Sequence, residues 1–238
     1  MSTARVPASA TTPAPETKLP KVGTTIFTVA SALAQEHGAL NLSQGFPDFD
    51  GPEALLDRVT HYLHDGRNQY PPMTGVPNLR AAIAGKVREL YGHGADADAE
   101  ITVTSGATEA LFCAIHAVVR PGDEVIVFDP AYDSYEPAVE LAGGRCVHLS
   151  LAAPDFAVDW DAVRDAITPA TRMIIVNSPH NPTGSVFSQA DLDALEAIVA
   201  DTGIYLLSDE VYEHIVFDGA EHQSLLRRPA LAARAFVV

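Results

Sequence analysis

Arg172-Met173-Ile174-Ile175-Val176 runs into Asn177-Ser178-Pro179-His180-Asn181-Pro182-Thr183-Gly184. An apolar run of strand length that stops at a loop rich in Pro and Gly reads as a buried strand with a rigid loop at its carboxyl end. The same signature recurs around it. Strands are predicted over Ile101-Thr102-Val103-Thr104, Glu124 to Phe128, Arg145 to Leu149 and Ile204 to Leu207, and Leu40 to Phe49 reads as a short strand entering a turn. Helical patterns separate most of them, over Glu109 to Val119, Tyr135 to Ala142, Trp160 to Ile167 and Ala190 to Ala200. Near-continuous apolar strands divided by helices predict an α/β fold of three layers, with a mostly parallel sheet covered on both faces. Upstream, helices are predicted from Phe27 to Glu36, from Pro52 to about His64, and from Asn78 to Tyr91, where Leu79, Ile83, Val87 and Leu90 form one apolar face.

In such sheets ligands bind at the carboxyl ends of the strands. Ser105-Gly106-Ala107-Thr108-Glu109 passes from a predicted strand into a helix. Taken alone it reads as a tight turn, but small residues at a helix N-terminus also suit a phosphate. It is neither a Walker loop nor a dinucleotide fingerprint. Asp129-Pro130-Ala131-Tyr132-Asp133-Ser134-Tyr135 brings an aromatic ring to the same rim, and Asn181 offers an amide. Ser208-Asp209-Glu210-Val211-Tyr212 sets a carboxylate at the end of a buried strand, where it needs a hydrogen-bonding or cationic partner. Together these residues outline a flat, phosphorylated heteroaromatic cation. Pyridoxal 5'-phosphate (PLP) matches, because its pyridinium nitrogen requires a carboxylate.

Charge and composition bound the alternatives. The 238 residues include 15 Lys plus Arg and 31 Asp plus Glu, a formal net charge of −16. So acidic a chain, with no basic run longer than Arg227-Arg228, points away from nucleic acid and anionic membrane partners. No stretch approaches the roughly 20 consecutive apolar residues of a membrane helix, and a cytoplasmic location is expected. Cys113 and Cys146 read as packing residues, and His61 with His64 lack further ligands for a metal, so no metal is expected. Residues 1–19, rich in Ser, Thr, Ala and Pro, read as a flexible tail.

The chain resembles the class I/II, fold type I PLP-dependent aminotransferases, and within them the methionine and kynurenine aminotransferase branch. The matching pieces are Asn41-Leu42-Ser43-Gln44-Gly45-Phe46-Pro47-Asp48-Phe49, Asn68 to Val76, Ser105 to Ala110, Asp129 to Tyr135, Pro179 to Gly184 and Ser208 to His214. The resemblance implies that the backbone of Gly106, Ala107 and Thr108 holds the cofactor phosphate and that Tyr132 stacks on the ring. Asn181 and Tyr212 would hydrogen-bond the 3'-oxygen, and Asp209 would pair with the ring nitrogen. It also implies a homodimer in which Tyr70 reaches the partner's phosphate, and a place for Gly45 beside the substrate carboxylate. The domains implied are an N-terminal arm with part of a small domain over residues 20–50 and a PLP-binding large domain over 51–238, with its C-terminal part missing.

The expected substrates are an amino acid, methionine or aromatic, and a 2-oxo acid. A cysteine-conjugate β-lyase using PLP and a non-catalytic remnant are the alternatives. The family's Schiff-base lysine follows the carboxylate motif by about 30 to 35 residues. Val238 stands 29 residues beyond Asp209, so that lysine is expected just after Val238 and the 238 residues alone are expected to be inactive. Lys18, Lys21 and Lys86 read as solvated surface residues. His180 and His214 read as supporting residues that do not themselves touch the cofactor.

Overall fold

The computed structural model describes residues 16–45 and 47–238. Most of the predicted tail, and Phe46 of the Asn41–Phe49 motif, therefore lie outside the described residues. Five parallel strands form one sheet in the order β2-β1-β3-β4-β5: β1 (Glu124–Asp129), β2 (Arg145–Ser150), β3 (Thr171–Asn177), β4 (Tyr205–Asp209) and β5 (Ala235–Val237). Successive side chains of a strand point to opposite faces, and the two faces build two separate cores. Val125, Val127, Met173, Ile175 and Leu207 pack under α4 (Gly106–Val118) and α5 (Tyr135–Leu141) through Leu111, Ile115 and Val139. Ile126, Phe128, Ile174, Val176 and Leu206 face the other way. They pack under α6 (Trp160–Ala166), α7 (Gln189–Val199) and α8 (Pro229–Ala232) through Val163, Leu192, Leu195 and Leu231. The predicted three layers are thus present, with their apolar strands buried on both sides in the centre.

β2 differs, because it is an edge strand that mixes exposed and half-buried residues and fully buries none. Helix α7 begins at a reciprocal cap in which Ser188 Oγ accepts from the Asp191 N–H while Asp191 accepts from the Ser188 N–H. That arrangement satisfies two N–H groups the helix itself leaves open.

Two predicted strands are absent. Ile101–Thr104 joins no ladder; the Val103 N–H donates to the Thr74 carbonyl at 3.0 Å, so a loop takes the hydrogen bond that a neighbouring strand would have taken. Gly75 makes that approach possible, since a Cβ there would stand 2.6 Å from Val103 Cγ2. The described residues of Leu40–Phe49 likewise form no strand; Asn41 Oδ1 instead accepts from the Ser43 N–H and hydroxyl, a local turn that competes with a ladder.

Helices α1 (Ile26–Glu36) and α2 (Glu53–His64) bury no residue, and α3 (Pro77–Tyr91) buries only Arg80. Leu55, Leu56, Val59 and Leu63 of α2 all lie more than half exposed. Helix α3 is instead tied to the segment after β4 by polar contacts: Lys86 and Tyr91 both bond the Glu213 carboxylate. Lys86 is exposed, as expected, and is also ion-paired.

Candidate active site

The strand order reverses at β1: β2 lies on one side of it and β3 on the other. Loops leaving β1 and β3 therefore diverge and open a crevice at the carboxyl end of the sheet. Asp129–Tyr135, Asn177–Gly184 and Asp209–Tyr212 all start there.

Asp209 is the last residue of β4 and is only 5% exposed. A carboxylate so placed is costly without a partner, and the partner is Tyr135, the first residue of α5. Its hydroxyl donates to Asp209 Oδ2 at 2.7 Å, while among the described residues Oδ1 receives only a long 3.4 Å contact from the Val211 N–H. Burial raises the Asp209 carboxyl above the ordinary carboxylate range, and the Tyr135 bond opposes that rise. Tyr135 is itself pushed far above the usual phenol range by burial and by the adjacent carboxylate, so it keeps its proton and remains a donor. The sequence reading missed Tyr135, treating it only as a helix start; the demand of Asp209 for a partner was the signal.

The chain of contacts extends both ways. Tyr132 meets Tyr135 edge to face, with ring centroids 5.7 Å apart, and its hydroxyl lies 3.3 Å from Thr108 Oγ1 in the first turn of α4. Gly106 opens that helix at φ +81°, a left-handed conformation that glycine adopts without penalty, and a Cβ there would meet no atom within 4 Å. The Ser105 side chain caps none of the helix N–H groups. Those of Ala107 and Thr108 have no acceptor within the helix, and the helix end adds partial positive charge.

On the other side, Asn177 lies opposite Asp209 in the β3–β4 register, and its Nδ2 donates to the Asp209 carbonyl at 2.8 Å. Asn177 Oδ1 accepts from the Asn181 N–H at 2.8 Å, which ties the Asn181 loop to the end of β4. Asn181 and Tyr212 share a cleft of about 490 Å³ with Val186, Ile215 and Phe217. His180 is buried beside them, with Nδ1 2.8 Å from Thr183 Oγ1; burial lowers its proton affinity and favours the neutral ring. His214 is exposed.

Gly106, Ala107, Thr108, Tyr132, Asp209 and Asn181 thus belong to one connected rim, with Tyr212 on the cleft that Asn181 lines. Tyr70 is fully exposed and Gly45 is exposed, and neither contacts that rim among the described residues. The donor set suits PLP: a helix N-terminus opened by a glycine for a phosphate, a ring to stack against, and a buried carboxylate with one weakly engaged oxygen for a ring nitrogen.

The family Aminotransferase class I and II matches residues 37–237. The chain belongs to that family. Aminotransferases of this class depend on PLP. The Escherichia coli methionine aminotransferase is 55% identical over 224 residues, covering 94% of this chain and 58% of that protein. A solved structure of a methionine aminotransferase from the same organism superposes with a TM-score of 0.92 at 54% identity, covering 95% of this chain and 59% of the other. The structure of N-succinyldiaminopimelate aminotransferase from Mycobacterium tuberculosis gives 0.90 at 45% identity, covering 94% and 59%. Mouse kynurenine–oxoglutarate transaminase 1 is 34% identical, over 87% of this chain and 52% of its own. The chain therefore spans less than two thirds of the length of these aminotransferases. Among its described residues no helix is long and apolar enough to cross a membrane.

Proposed function

We propose that the protein carrying this chain is a PLP-dependent aminotransferase that moves an amino group from an amino acid, methionine or an aromatic one favoured, to a 2-oxo acid. The observation that carries the reading is the buried Asp209 carboxylate at the end of β4, held by a phenol and set on the same rim as Tyr132 and the N-terminus of α4. When bound, PLP supplies an electron sink in its pyridinium ring. The backbone at Gly106, Ala107 and Thr108 would hold its phosphate, through the Ala107 and Thr108 N–H groups because the Gly106 N–H donates to the Thr104 carbonyl at 2.9 Å, and Tyr132 would support one face of the ring. Asn181 and Tyr212 would orient the 3'-oxygen, and Asp209 would keep the ring nitrogen protonated. The names of the Escherichia coli and mouse relatives support the choice of methionine and aromatic donors.

The working form is proposed to be a cytoplasmic homodimer, with residues 20–50 in an arm and part of a small domain, and 51–238 in the large domain. Helices α1 and α2 support a partner, because Leu55, Leu56, Val59 and Leu63 of α2 find no cover among the described residues. Tyr70, wholly exposed, suits a contact made across such an interface, and Gly45 one made to the substrate carboxylate.

No lysine of the 238 residues is tied into the rim: Lys86 is held by Glu213, and Lys18 and Lys21 precede α1. The 238-residue polypeptide alone is therefore proposed not to catalyse amino transfer. The test compares the whole protein with this polypeptide, each given PLP, methionine and a 2-oxo acid. The whole protein should form the new amino acid and retain PLP covalently after borohydride reduction, and the polypeptide should do neither. A borohydride-stable adduct on Lys18, Lys21 or Lys86 would refute the second part. Turnover of a cysteine conjugate with no transfer from methionine would refute the first in favour of a β-lyase.

A further inference from the structure

Tyr135 has no role in the residue set that the family pattern assigns, yet it touches two members of that set. We propose that Tyr135 is the positioning residue for Asp209: its hydroxyl fixes one carboxylate oxygen and leaves the other for the ring nitrogen of the cofactor. The inference rests on the reading of Asp209 as the partner of that nitrogen.

Three observations carry it. Tyr135 is 4% exposed and its hydroxyl reaches Oδ2 at 2.7 Å, so the bond is short and shielded from water. Among the described residues the other oxygen, Oδ1, has only the 3.4 Å backbone contact. The ring of Tyr135 also braces Tyr132 edge to face, so one residue sets the geometry of both the carboxylate and the stacking ring.

The chemistry follows from how a proton divides between a ring nitrogen and a carboxylate. Burial and the neighbouring Glu210 both favour a neutral Asp209. A neutral Asp209 would leave the nitrogen without its proton. A hydrogen bond given to the charged carboxylate works against this. The groups facing the pair are Glu210 beside Asp209, and Tyr132 and Tyr212 beside Tyr135. None of them is a cation, so Tyr135 is the side chain that offsets the burial. A phenol suits the task because it cannot neutralise the carboxylate by transferring its own proton at ordinary pH.

The test uses the whole protein loaded with PLP labelled with ¹⁵N in the ring, whose nitrogen shift reports protonation directly. Tyr135→Phe keeps the packed ring and removes only the hydroxyl. The loss of one hydrogen bond to a charged group shifts the proton-sharing equilibrium about tenfold toward the neutral nitrogen. The PLP dissociation constant should rise in the same variant. A Tyr135→Phe spectrum identical to wild type, in a protein where Asp209→Asn removes the nitrogen proton, would overturn the inference and leave the Asp209 reading standing. A wild-type nitrogen that is neutral, or that does not respond to Asp209→Asn, would overturn the Asp209 reading and this inference with it. If Tyr135→Phe does not fold, 3-fluorotyrosine at position 135 decides. As a stronger donor it should increase nitrogen protonation, and no change would count against the proposal.

Discussion

Replacing Glu210 by Ala should be among the most destabilising single changes available in this chain. Glu210 is 4% exposed and follows Asp209 directly. Its Oε1 accepts from Ser208 Oγ at 2.9 Å and from the Leu225 N–H at 3.1 Å, and its Oε2 lies 2.8 Å from Nε2 of His222, itself 5% exposed. Truncation strands a hydroxyl, a backbone N–H and an imidazole in a space closed to water. Each orphaned donor costs about 1–3 kcal/mol, and about 3 kcal/mol is the expected loss for the three together, because the donors can relax toward one another. Glu210→Gln keeps an acceptor for Ser208 and Leu225 and should lose about 1 kcal/mol. Urea unfolding followed by circular dichroism reads both. With a slope of about 2–3 kcal/mol per molar, the alanine variant should lower the midpoint by 1 M or more and the glutamine variant by far less. Equal shifts for the two variants would refute the reasoning, since they would mean that the three donors find other partners.

Gly75→Ala should destabilise the protein by about 1–3 kcal/mol, because the new Cβ would press on Val103 Cγ2 from 2.6 Å at a φ of +98°; thermal melting checks it, and an unchanged midpoint would show that the Thr74–Val103 contact yields freely. His148 lies 3.0 Å from Asp129 and 3.6 Å from Glu136, and the Asp129 hydrogen bond raises its proton affinity against a smaller effect of burial. A group held more strongly protonated when folded stabilises below its unfolded value near 6.5, and that stability disappears as pH rises through the higher folded value. For a pair this exposed the increment is about 1 kcal/mol or less. His148→Asn should therefore flatten stability against pH in that window, as measured by unfolding at pH 5.5 and 8.5.

Much of the fold is legible along the chain. The central strands β1, β3 and β4 are buried on both faces, so their apolar runs are nearly unbroken and their ends fall within a residue or two of the predicted places. Ile101–Thr104 carries the same kind of β-prone residues but has no ladder neighbour; strand propensity does not say whether a partner arrives. Tyr132, Asn181 and Asp209 could be found because each follows an apolar run at a strand end. Tyr135 and Asn177 act on them through contacts 74 and 32 residues apart in sequence, which no local pattern records. The pairing of Lys86 with Glu213 across 127 residues was hidden for the same reason.

A crystal structure of the whole protein grown with PLP addresses the central claim most directly. The account predicts the phosphate against the Gly106–Thr108 backbone, on the N–H groups of Ala107 and Thr108, Tyr132 against the face of the ring, and the ring nitrogen within hydrogen-bond distance of Asp209. A ring whose nitrogen points away from Asp209, or a phosphate bound elsewhere than the start of α4, would contradict it.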